Sequence, residues 1–190
     1  FRRQRQWCIR DRAGASGEGR VLAARYAEAI YAVAYDIDSG AGYYADVKTR
    51  IDKAGRDADS VGIMPGLVTY IGSTMAEAHA KKADLDALLP VEQSLRQLGM
   101  YIEQDCREWE LDAPVPTLPP VEEFTGPHGR YETILRIVAK DKPTVRELLG
   151  TLAAGGGHAT MIGTPESIAD EMEAWVSGGA ADGFNLKPPL

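Results

Sequence analysis

Cysteine is nearly absent from this 190-residue chain. Cys8 and Cys106 are too few for a disulfide framework, and neither sits in a CxxC or Cys/His ligand spacing, so free thiols in a reducing compartment are expected. Long hydrophobic runs are missing too. Nothing approaches the ~18 consecutive apolar residues of a spanning helix, and the first residues lack a signal-peptide h-region, so the membrane is not an expected partner and the cytoplasm is the expected address. Positive charge is in deficit, with 21 Lys and Arg against 28 Asp and Glu, a net charge of −7 and a pI near 5.0. That balance excludes a general affinity for nucleic acid, which needs a basic surface. There is no Walker A loop, GxSxG elbow, HExxH pair or GxGxxG after a strand. The acidic pairs Asp57/Asp59, Glu122/Glu123 and Asp170/Glu171 have no matched metal-ligand partner and read as surface charge, so no metal is expected. Small molecules and other proteins remain as partners.

What is present is ordinary soluble composition, 44% hydrophobic and 26% charged, in enough length for one core. From Ala13 onward short apolar runs alternate with amphipathic segments, the mark of βα units and a parallel sheet. Residues 16–28 read as helix, with Leu22, Ala23, Tyr26, Ala27 and Ile30 on one apolar face. Residues 29–34 read as a buried strand, 42–54 as helix and 61–71 as a second strand containing Pro65-Gly66. Thr74 with Glu77, and Thr144 with Glu147, have capping-box spacing and open two further helices. Gly155-Gly156-Gly157 stops the second of these, residues 158–163 form a short strand, Thr164-Pro165-Glu166 starts another helix, and residues 182–186 are the last strand. Residues 90–143 hold seven of the 11 prolines and interrupt this rhythm. They read as an insertion, helical over 93–109, with the segment around Pro114, Pro116, Pro119 and Pro120 extended on the surface. Residues 1–12, rich in arginine and without strand or helix period, read as a non-native leader or, alternatively, a basic arm.

Two places could carry chemistry. Residues 13–20 lead small residues directly into a helix, and the N3 position, Gly19, offers no carboxylate to the hydroxyl of Ser16. Phosphate binding at such a turn would use the helix dipole, free N–H groups and that hydroxyl; an N-cap serine in a glycine-rich turn gives the same pattern, and Glu18 disfavours an anion. His158 follows three glycines and opens a strand, where it could donate a hydrogen bond or shuttle a proton in a pocket, or be a surface histidine. His79 and His128 read as solvated, and Tyr43, Tyr44, Trp109 and Trp175 as packing.

An ordered set of segments carries a family resemblance: AGASGEGRVLAARYAEAIYAV at 13–33, AGRDAD at 54–59, IMPGLVTYIGSTMAEA at 63–78, LDAPVPTLP at 111–119, TVRELL at 144–149, GGHATMIGTPESIADEMEAWV at 156–176 and AADGFNLKPP at 180–189. In that order and spacing the chain resembles flavin-dependent monooxygenases of the nitrilotriacetate and dibenzothiophene-sulfone type, within the bacterial luciferase-like superfamily. The resemblance implies an α/β fold, a partial (β/α)8 TIM barrel that is the C-terminal half of a longer enzyme. It also implies reduced FMN supplied by an NAD(P)H:flavin reductase, O2 and a small organic substrate, and a homo-oligomer in the full-length form. Carried over residue by residue, it puts Ala15, Ser16 and Gly17 on the FMN phosphate and His158, as a catalytic candidate, facing the flavin or substrate. Family members end a strand in glutamine just before the AG, where this chain has IRDR, so part of that site's floor is in question. A deazaflavin-dependent oxidoreductase and a non-catalytic flavin-binding protein remain the alternatives.

Overall fold

The computed structural model describes residues 11–13, 17–126 and 128–187, the first three by their backbone alone. Five strands form one wholly parallel sheet: β1 (Asp11–Ala13), β2 (Ala29–Ala32), β3 (Gly62–Ile71), β4 (Ala159–Gly163) and β5 (Asn185–Lys187). Helices α1 (Gly17–Tyr26) and α2 (Ile37–Lys53) alternate with the first strands. They are followed by α3 (Met75–Asp86), α4 (Val91–Ile102), α5 (His128–Asp141), α6 (Val145–Gly155) and α7 (Pro165–Ser177). The parallel α/β reading holds.

β3 is where the sheet divides. Its first half pairs with β2, from Ala29↔Gly62 to Ala32↔Pro65, and its second half with β4, from Leu67↔Ala159 to Ile71↔Gly163. Leu67 and Val68 also pair with Leu186 and Lys187 of β5. A strand has only two edges, so β4 and β5 lie on opposite edges of β3 instead of side by side in chain order.

Local chemistry explains most boundaries. Thr144 and Glu147 make the reciprocal capping box their spacing predicts, and Gly156, at φ 60, closes α6 in the left-handed conformation that glycine adopts without a Cβ penalty. Thr164 caps α7 ahead of Pro165. At α3 the Thr74 hydroxyl accepts from the Glu77 N–H, but the Glu77 carboxylate turns back to Ser73. Three expectations are corrected. α2 begins at Ile37, five residues before the expected start, because Asp36 and Ser39 form a reciprocal cap in what reads as a turn. A strand begins at Asp11, inside a stretch without strand period, and aligns on β2. On α1, Ala23, Ala24 and Ala27 face inward while Leu22 and Tyr26 are exposed; alanine lets the helix lie close against α2 and β2, which larger side chains would prevent.

Residues 90–143 are more ordered than their prolines imply. α5 was not expected, yet its Tyr131, Ile134 and Ile137 are buried on a shared core with α4 and α6. The proline-rich segment does not simply rest on the surface: Leu118 is buried, Leu111 and Val115 pack on that same core, and Pro114 bridges Thr144. Two further apolar clusters join α1, β2 and α2, and β4 with α7.

Candidate functional site

His158 immediately precedes β4 and is only 5% exposed. It therefore is not a surface histidine. Its Nε2 is 2.8 Å from the hydroxyl of Tyr31, in β2, with the two rings 5.0 Å apart. Nδ1 has no hydrogen-bond partner. Gly66, in the middle of β3, makes this fit possible: a Cβ there would lie 2.6 Å from His158 Nδ1 and 2.8 Å from the Tyr31 hydroxyl. Any side chain at 66 would push the imidazole away. Burial, then the positive charges of Lys187 and Arg130, lower the His158 pKa to about 4, with the Ala32 carbonyl pulling the other way. The imidazole is neutral at physiological pH and can pass a hydrogen bond without carrying charge.

The two cations are fixed by independent contacts. Arg130, in the first turn of α5, donates to the Gly156 carbonyl and lies 4.8 Å from the centre of the Tyr101 ring. Lys187, at the end of β5, places its Nζ 5.6 Å over the Tyr31 ring. A cleft of about 1160 Å³ runs between α5 and the C-terminal end of β2, from Arg20 and Tyr43 past Val33 to Arg130 and Gly156. Its upper wall is tied down by Asp36, which caps α2 through Ser39 and accepts from Lys140 of α5 at 3.1 Å, while the Tyr35 hydroxyl donates to Asp141.

The other candidates fare unequally. Gly17 opens α1 with nothing within 4 Å of where its Cβ would be. Ala15 and Ser16 lie outside the described residues. Arg20, on the same helix, bonds Asp46 at 2.8 Å and lies over Tyr43, which joins the first turns of α1 to the cleft. His128 is exposed and its Nε2 is 3.1 Å from the Phe124 carbonyl, away from the imidazole of His158 in role and in partners. Cys106 is buried and burial raises its thiol pKa to about 11, so it is inert packing; Cys8 lies outside the described residues. Among the described residues no cluster of His, Cys, Asp or Glu could hold a metal, and no helix is long and apolar enough to cross a membrane.

Tyr31, Gly66, Arg130 and Lys187 were not singled out from sequence. Tyr31 is an ordinary strand residue and the cations are 57 residues apart along the chain; only the Pro65-Gly66 break in an apolar strand signalled a close approach.

Comparison with known proteins agrees with the parallel α/β fold. The profile of the luciferase-like monooxygenases matches residues 11–182. The chain belongs to that family. It is 36% identical over 178 residues to nitrilotriacetate monooxygenase component A of Aminobacter aminovorans, covering 93% of this chain and 39% of that protein. The structure of DmoA from Hyphomicrobium sulfonivorans superposes with a TM-score of 0.73 at 28% identity, over 94% of this chain and 36% of the other. Riboflavin lyase with modified FMN and riboflavin superposes at 0.68 and 25%, over 94% and 38%. This luciferase-like chain thus spans about two fifths of the length of the curated relatives it matches.

Proposed function

We propose that the chain forms part of a two-component monooxygenase whose reduced FMN comes from a partner NAD(P)H:flavin reductase and whose substrates are O2 and a small organic molecule. Support comes from the family, from a relative named as a component A and from a structural relative that holds modified FMN. The sheet then supplies strands of a (β/α)8 barrel, residues 90–143 form an insertion over its C-terminal end, and the parent enzyme is cytoplasmic and a homo-oligomer. A barrel places its site at the C-terminal ends of the strands, and the cleft opens at that end of β2.

The residues present fit a flavin phosphate at the start of α1. A Cβ on Gly17 would meet nothing within 4 Å, the first N–H groups of a helix lack intrahelical partners, and the cleft begins one turn further on at Arg20. The observation that carries the reading is this cleft, which runs from Arg20 in the first turns of α1 to Arg130 and Gly156. Ala15, Ser16 and Gly17 bind the phosphate through backbone N–H groups and the Ser16 hydroxyl. Bound reduced flavin supplies the electrons and the O2 chemistry. The chain's own part is to hold it, keep water out with α5, and offer the hydrogen-bonded Tyr31–His158 pair as an uncharged polar group.

Flavin fluorescence titration tests this. FMN is expected to bind more tightly than riboflavin, and Ser16→Ala to weaken FMN by roughly tenfold, the worth of one charge-assisted hydrogen bond, with riboflavin unchanged. Equal binding of the two flavins, or none, rejects the phosphate site.

A further inference from the structure

We infer that Arg130 and Lys187 form a recognition site for a carboxylate of the organic substrate, with the Tyr31–His158 pair as its uncharged floor. The inference rests on the proposed function above and adds the substrate's chemical class.

Most cations near the cleft are already committed to acids. Arg20 pairs with Asp46, Lys140 and Arg136 with Asp36, Lys82 with Asp86 and Lys48 with Asp182. Arg130 and Lys187 differ: among the described residues neither has a carboxylate partner, and Arg130 bonds Gly156, two residues before His158, while Lys187 lies over the ring of Tyr31, whose hydroxyl meets His158. In a chain with a net charge of −7, two uncompensated cations converging on one buried neutral imidazole make a local positive field in an otherwise acidic molecule.

Their geometry suits an anion. The Arg130 guanidinium spends one N–H on the Gly156 carbonyl and lies over the Tyr101 ring, contacts that restrain it and leave four N–H donors on the side chain that lines the cleft. A planar fork held in this way matches a carboxylate, and its rigidity reduces the ordering cost of binding. Lys187 brings a second ammonium over Tyr31 from the sheet side. The Tyr31 hydroxyl meets His158 Nε2 and has no other hydrogen-bond partner among the described residues. If Nε2–H donates to the Tyr31 oxygen, the unpaired Nδ1 is merely an unused lone pair, and the phenolic O–H is free to donate to the anion. A neutral histidine adds no competing charge.

Succinate and its uncharged analogue succinamide are the probes, with the His158 ring NMR signal and calorimetric titration as readouts on this chain. Succinate is expected to bind and move the His158 signal, and succinamide to do neither. Arg130→Gln and Lys187→Gln are each expected to weaken succinate by roughly tenfold, and Lys187→Arg to restore binding. Lys187 is exposed on a strand end, so its variants keep the fold; far-ultraviolet circular dichroism checks Arg130→Gln, which loses the Gly156 contact. No succinate binding, or binding unchanged in both Gln variants, overturns the inference. If the Gln variants instead abolish the preference for FMN over riboflavin, the cations serve the flavin phosphate and the substrate assignment falls. If neither flavin binds while the succinate response holds, the flavin reading fails and the carboxylate site stands.

Discussion

His158 ties the candidate site to the stability of the chain. Its folded pKa, about 4, lies below its ordinary 6.5, so between those values the native state binds fewer protons than the unfolded chain. Stability therefore rises with pH across that window and is lost as acid is added, since the unfolded chain is the better proton acceptor. Replacing His158 by Gln should flatten this dependence. Denaturant midpoints measured through the window check it, and an unaltered slope would show that the imidazole is not held neutral. Gly66 belongs to the same argument: its missing Cβ is what lets the ring sit beside the Tyr31 hydroxyl.

At the scale of elements, the join between α2 and α5 decides whether the cleft has a wall. Asp36 serves both helices, as N-cap of α2 and as acceptor of Lys140, with Arg136 at 3.8 Å. Burial raises its carboxyl pKa, but the Ser39 hydroxyl and N–H and then Lys140 outweigh this, and the net shift is downward. A lowered acid stabilises the fold above its unfolded pKa, and that part is lost as pH falls through the folded value. Asp36→Ala is expected to cost about 1–2 kcal/mol, as lost N-caps do. Asp36→Asn keeps a capping oxygen and removes only the ion pairs, so its cost should stay below about 1 kcal/mol and shrink with salt. Urea melts at low and high ionic strength separate the two contributions. Equal costs for both variants would place the energy in the ion pairs instead of the cap.

Over the whole molecule, α1 is the element whose face the sequence assigns only in part: Ala23, Ala27 and Ile30 are buried as expected, Leu22 and Tyr26 are not. Leu22 and Tyr26, one turn apart, are exposed at 45% and 49%, and β1 pairs with β2 alone among the described residues. Exposed apolar side chains one turn apart on a helix favour association. The isolated chain is expected to self-associate with rising concentration, and Leu22→Lys with Tyr26→Lys to reduce this. Sedimentation velocity across a concentration series measures it; a monomer at every concentration in the unsubstituted chain would mean that face is already covered.

The amino-acid sequence by itself determined the parallel βα character, the caps at Thr144 and Thr164, the stop at Gly156 and the family, because each rests on local periodicity, short-range hydrogen bonding or ordered motifs. It also marked His158 as a candidate. Only the tertiary structure decided that His158 is buried, which strands flank β3, that α5 packs with α4 and α6, and that Arg130 and Lys187 converge on one imidazole. The physical reason is distance along the chain. Tyr31 and His158 are separated by 127 residues, and their meeting depends on a ladder register and on the space left by Gly66. Neither is encoded in any short window. The inward face of α1 likewise depended on how closely its neighbours approach, which favoured alanine over leucine and tyrosine against expectation.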